Sequence, residues 1–60
     1  MKLSELMIML PDIQVVQIIS ALDGIVFYSG IADNYPRIIR DADVNEAHTS
    51  NNILLIKIDR

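Results

Sequence analysis

The first residues of the chain carry apolar side chains at a helical spacing. These positions follow the i, i+3, i+4, i+7 pattern of one helix face, and they are Leu3, Leu6, Met7 and Leu10. Ser4 can cap the first turn, and Pro11 disfavours helical geometry at the residue before it. The pattern therefore predicts a short helix over residues 4–10. Because two turns are marginal in water, we expect this helix to dock on a sheet.

Three later segments have the β-branched composition and length of strands. They are residues 13–20, residues 25–31 and residues 53–58. Asp23 and Gly24 lie between the first two segments, and an Asp-Gly pair favours a hairpin. Gly30 interrupts the second segment, which predicts a bulge or a close backbone approach there.

The region between the second and last strands is more polar. Residues 33–36 predict a loop with a helix start, because proline is tolerated in a first helical turn. Residues 37–41 give about one turn of helix, residues 44–48 a short strand, and residues 49–52 a polar turn. The expected fold is a single α+β domain over residues 1–60, in the order α-β-β-α-β-β, with a mostly antiparallel sheet.

The strands alternate poorly between apolar and polar residues. An antiparallel sheet with one wet face should alternate clearly, whereas apolar residues here occupy both faces of every main strand. One short helix can cover only one face, so the other face needs a partner. The expected interface residues are Val15, Ile19, Ile25, Phe27, Ile53 and Leu55. A slip of one residue in register would exchange the two faces.

Composition strengthens the case for a partner. The chain has 60 residues, of which 52% are hydrophobic, and it has no cysteine for a disulfide. A chain of this size buries only about 60% of its unfolded surface, and self-association is one common remedy. We therefore expect a homo-oligomer, a dimer first, with a heterologous protein partner as an alternative.

The charge balance bears on nucleic acid. The formal net charge is −3, and nucleic-acid binding relies on a basic footprint. The one local candidate combines Tyr35 with Arg37 and Arg40, which could stack on a base and contact phosphate. Local ion pairing explains the same arginines, so this nucleic-acid or nucleotide site is an alternative to the interaction module.

The segment RDADVNEAHTSNN resembles a calcium loop at its start. Asp41, Asp43 and Asn45 match the first, third and fifth positions. Glu46, however, occupies the position that requires glycine, and Asn52 stands where a bidentate glutamate is needed. We expect no metal site here and no calcium response.

No catalytic motif is present in the sequence. His48 is the only histidine, and no nearby residue is positioned to make it an acid–base catalyst; a phosphate-binding glycine loop is also lacking. We expect a non-enzymatic protein without a cofactor. No apolar run has the length of a signal-peptide core or a membrane span, so we expect a cytoplasmic protein with no membrane partner.

The layout resembles a loose group of small phage and prophage proteins of unassigned function. The resemblance runs over nearly the whole chain, through the segments MKLSELMIMLP, FYSG, IIRDADV and ILLIKI. It implies an accessory protein that works by contact, and it carries no catalytic residues. Val15, Ile19 and Ile25 depart from it, because polar outward-facing residues would be expected at those positions.

Overall fold

The computed structural model describes residues 1–60 and shows an α+β fold with one short helix and a four-stranded sheet. The helix, α1, spans Leu3–Met7. The strands are β1 (Val15–Ser20), β2 (Val26–Ile31), β3 (Val44–Ser50) and β4 (Ile53–Ile58). The predicted α+β class is confirmed, and the last strand has the predicted bounds.

The sheet is mixed, with the strand order β2-β1-β4-β3. β1 pairs with β2 and β3 pairs with β4 in antiparallel hairpins, but the inner strands β1 and β4 run parallel. The expectation of a mostly antiparallel sheet therefore holds for the outer pairs and fails at the centre. Residues 32–43 cross from one edge strand to the other, and about a dozen residues suffice for a parallel crossover.

The predicted second helix is replaced by two short 3₁₀ turns, Ala32–Asn34 and Arg37–Ile39. Between them, Tyr35 is extended, with a ψ of 149°. Proline disfavours helical geometry at the residue before it, and Pro36 therefore explains why the two turns do not merge.

The helix begins one residue earlier than predicted and ends sooner. Lys2, not Ser4, is the N-cap residue, and the Glu5 carboxylate accepts a hydrogen bond from the Lys2 backbone N–H at 2.6 Å. After Met7 the chain tightens, so that the Leu10 N–H donates to the Met7 carbonyl three residues back, at 3.2 Å. Such i to i+3 bonds commonly end a helix.

The predicted irregularity in β2 is present, but not at Gly30. The register shifts between Ile18 and Ile19, so Val26 and Phe27 together oppose Ile19, as in a β-bulge. Gly30 instead lies against the side chain of Tyr28, two residues earlier in the strand. A Cβ at Gly30 would be only 2.7 Å from the Tyr28 hydroxyl oxygen.

Both hairpin turns contain backbone conformations that few residue types adopt. Gly24 has a φ of 78°, as the Asp-Gly pattern predicted. In the second hairpin Asn51 and Asn52 have φ values of 51° and 66°, which are typical of a two-residue type I′ turn. The turn is therefore shorter than predicted, and β3 continues to Ser50.

The core lies between one face of the sheet and a layer formed by α1 and the crossover. Its buried apolar residues are Leu3, Met7, Val16, Ile18, Ala32, Tyr35, Ile39, Ala42, Ile56 and Ile58. We call this side of the sheet the covered face. No element of the chain packs on the opposite side, which we call the open face.

Candidate functional site

The central strand β1 shows how the two faces divide. Val16, Ile18 and Ser20 are buried on the covered face, whereas Val15 and Ile19 point to the open face with Gln17 between them. This alternation follows from the two-residue period of a strand. It places two aliphatic side chains of the central strand where nothing in the chain covers them.

The neighbouring strands extend this apolar surface. Ile31 of β2 pairs with Val15 in the register, and Phe27 lies at the bulge opposite Ile19. On the other side, Leu55 of β4 is the neighbour of Gln17, and Ile53 precedes it by two residues on the same face. The open-face apolar residues are therefore Val15, Ile19, Val26, Phe27, Ile31, Ile53 and Leu55.

Five of the six residues predicted for an interface belong to this set. The exception is Ile25, which precedes β2 in the hairpin loop and is 59% exposed. The prediction omitted two residues: Ile31, which the two-residue period relates to Phe27, and Val26, which joins the open face only because of the bulge. The alternation could have identified the first, but no sequence signal marks the second.

The surface is polar along one edge and at one point in its middle. β3 contributes Glu46, His48 and Ser50 to the open face, since these residues pair with Lys57, Leu55 and Ile53 of β4. The His48 Nδ1 lies 3.3 Å from a Glu46 carboxylate oxygen. Near the centre, Gln17 of β1 faces Ser29 of β2. The apolar surface is therefore bounded by β3, and it contains this polar pair and Lys57 of β4, which neighbours Ile19.

A second surface feature lies on the other side of the molecule. A groove of about 390 Å³ opens between α1, the residues that follow it and the crossover. Its lining residues are Ser4, Met7, Ile8, Leu10, Asp12, Ala32, Asp33, Tyr35, Arg37 and Arg40. No local sequence pattern predicts this groove, because its walls come from segments about thirty residues apart that meet only in the fold.

The residues predicted for nucleic acid all line this groove, but not as a base-stacking site. Tyr35 is only 8% exposed and belongs to the core. The guanidinium carbon of Arg37 lies 4.1 Å from the centre of the Tyr35 ring, and Arg37 also donates to the carbonyls of Tyr35 and Asp33 at 2.7 and 3.0 Å. The ring therefore has no open face for a base, which corrects the expected role of Tyr35. Arg40 remains exposed.

The acidic segment that resembled a calcium loop is held by other contacts. Asp43 lies 3.2 Å from the Lys2 ammonium group and forms an isolated bridge with the same residue. The Asn45 side chain donates to the Asp59 carboxylate at 3.1 Å. No three acidic, histidine or cysteine side chains cluster as metal ligands would. The segment joins the N-terminal residues to the sheet.

Comparisons with known proteins found no matching family, curated protein or solved structure. The resemblance to phage proteins thus stays a prediction. The single helix has five residues, which is too short for a membrane-spanning segment.

Proposed function

We propose that the protein is a non-enzymatic interaction module that associates with a second copy of itself through the open face. The observation that carries this proposal is the uncovered apolar surface shared by β2, β1 and β4. Large exposed apolar patches on small proteins usually mark contact sites.

The composition of the surface favours a second copy as the occupant. An isologous interface requires a patch that is complementary to itself, and an aliphatic surface satisfies this without matching charges. The charged residues on this face, Glu46 and Lys57, pair with each other in the register, and Lys57 also neighbours Ile19 of β1. Both lie toward the end of the sheet where β1 and β4 end, so they would lie at the rim of such an interface, where charges are tolerated.

The area of the open face determines how strong the self-association is expected to be. Four strands about 4.8 Å apart and six residues long, at about 3.3 Å each, give a face of roughly 400 Å². Two such faces bury roughly 800 Å², which is below the size of standard stable interfaces. The expected association is therefore weak, with a Kd of about 0.1–1 mM.

Sedimentation equilibrium from about 10 µM to about 1 mM tests the proposal, because this range covers the expected Kd. Wild-type protein should pass from monomer toward dimer. Ile53→Lys introduces a charge on the open face and should keep the protein monomeric. Ile38→Lys makes the same change at a residue that is 85% exposed outside this face, and it should associate like wild type.

A wild-type monomer at every concentration would reject self-association and leave a heterologous partner as the alternative. Equal loss of association in both lysine variants would reject the open face as the contact site, because it would point to a general effect of charge.

A further inference from the structure

The groove beside α1 combines an apolar wall with charges of both signs. Met7, Ile8 and Leu10 supply apolar side chains from the N-terminal segment. Its size, about 390 Å³, falls within the range of small-molecule sites, roughly 300–1,000 Å³. Sites of this kind typically pair apolar walls with a few convergent polar groups.

The acidic residues and Arg40 lie at two poles of the groove, and Arg37 lies beside the acidic pole, because its guanidinium group donates to the Asp33 carbonyl at 3.0 Å. The backbones of Asp12 and Asp33 are adjacent, because the Asp33 N–H donates to the Asp12 carbonyl at 3.1 Å. At the other pole the Ser4 N–H donates to the Arg40 carbonyl at 3.0 Å. The close contacts between basic and acidic side chains are Lys2–Asp43 and His48–Glu46, so all the charges that line the groove lack an ionic partner.

One residue that lines the groove has a polar group without a partner. Tyr35 is 8% exposed, and its hydroxyl group forms no hydrogen bond within the protein. No fully buried polar side-chain atom lacks a partner, so the hydroxyl oxygen is accessible to solvent. Arg37 is fixed over the ring, which holds its remaining N–H donors in place.

We propose that this groove binds a zwitterionic short peptide with an apolar side chain. Its ammonium group would pair with Asp12 and Asp33, its carboxylate with Arg40, and its side chain with Met7 and Ile8. A purely anionic ligand would leave the two aspartates unpaired beside it, and a purely cationic ligand would do the same to the arginines.

The proposal is independent of self-association. The groove is built from α1 and the crossover, which lie on the covered side of the sheet, whereas the proposed dimer contact lies on the open face. A bound peptide and a second copy can therefore occupy the protein together, and either idea can fail alone.

The test is a titration of the ¹⁵N-labelled protein with the dipeptide Leu-Leu, followed by amide shifts. Shifts should concentrate in residues 4–12 and 32–40 and be absent from β3. N-acetyl-Leu-Leu and Leu-Leu-amide, which each lack one charge, should bind about fivefold more weakly than the free dipeptide.

Protein variants give the complementary test. Asp33→Asn and Arg40→Ala should each weaken Leu-Leu about fivefold, and Tyr35→Phe should weaken it about threefold. These side-chain groups hold no other part of the protein by hydrogen bond or ion pair, so the fold should persist, and unchanged amide spectra would verify it. The matched control is Asp41→Asn, an exposed acid that does not line the groove.

Absence of groove shifts with Leu-Leu at about 10 mM would overturn the proposal, since this exceeds any Kd of interest for a small ligand. Equal affinity for the acetylated dipeptide would also overturn it, because the acidic pole would then contribute nothing. Equal weakening by Asp41→Asn would assign the effect to net charge and not to the groove.

Discussion

Two adjacent valines of β1 offer a matched test of the division between the covered and open faces. Val16 is fully buried in the core, whereas Val15 is 40% exposed on the open face. Replacing either by alanine removes the same two methyl groups from the same strand. The loss of β propensity is therefore shared, and the difference between the variants reports the environment of each side chain.

The expected magnitudes follow from burial. At about 0.8 kcal/mol per buried carbon, Val16→Ala loses about 1.6 kcal/mol of transfer free energy. The cavity that remains adds about 1 kcal/mol, because the surrounding core relaxes only partly. Val15→Ala should lose about 1 kcal/mol, since its site is partly solvated already and opens to water without leaving a cavity.

The assay is urea unfolding followed by circular dichroism at about 5 µM, where a weak dimer is dissociated. A chain of 60 residues should have a total stability of about 3–9 kcal/mol, so both variants should remain folded. With a slope of about 1 kcal/mol per molar urea, the midpoint of Val16→Ala should lie about 1.5 M below that of Val15→Ala. Equal midpoints, or the reverse order, would refute the division of the faces.

Three further predictions concern single contacts of the fold. Gly30→Ala should destabilise the protein by about 1–2 kcal/mol, because the new Cβ would displace the Tyr28 hydroxyl from the hydrogen bond that it donates to the Ile31 carbonyl at 2.6 Å. Thermal unfolding measures this loss, and a Tm equal to that of the wild type would contradict it. Ser20→Ala should lower the free energy of unfolding by about 1–3 kcal/mol, because the buried hydroxyl group accepts hydrogen bonds from the Leu22 and Asp23 N–H groups and donates one to the Arg60 carbonyl. An unchanged urea midpoint would show that water replaces these bonds. Asn52→Gly should raise the free energy of unfolding by about 0.5 kcal/mol, and the Tm slightly with it, because glycine suits the φ of 66° at the second position of a type I′ turn. A loss of stability would indicate that the asparagine side chain has another role.

The local elements of this fold are largely readable from the sequence. The last strand, the Asp-Gly hairpin and the opening apolar pattern depend on residues near one another, and each has a clear physical signature. The contacts of α1 match that pattern, with Leu3 and Met7 buried and Leu6 and Leu10 packed against the core. The helix begins at Leu3 and not at the predicted residue 4, because the Glu5 carboxylate accepts a hydrogen bond from the Lys2 backbone N–H and so supports the earlier turn.

The arrangement of the strands was not readable in the same way. Alternation identifies the faces of a strand but not its neighbour, so the parallel pairing of β1 with β4 has no local signal. The predicted second helix does not form for a local reason, because Pro36 disfavours helical geometry at Tyr35.

The candidate sites are also predictable only where they depend on residues close together in the sequence. Five of the six predicted contact residues share the open face because a two-residue period carries over from sequence to sheet. Tyr35 is expected from the sequence to stack on a base beside Arg37 and Arg40, but the crossover buries its ring under Arg37. The groove depends on contacts between distant segments and was therefore not foreseen.

The most direct test of the central claim is an isotope-filtered NOE experiment on an equal mixture of labelled and unlabelled protein at about 1 mM, near the upper end of the expected Kd. Self-association through the open face predicts cross-chain NOEs between the Phe27 ring and the methyl groups of Val15 and Leu55. Cross-chain NOEs confined to Ile8 and Ile38, on the other side of the molecule, or no cross-chain NOEs at all, would contradict it.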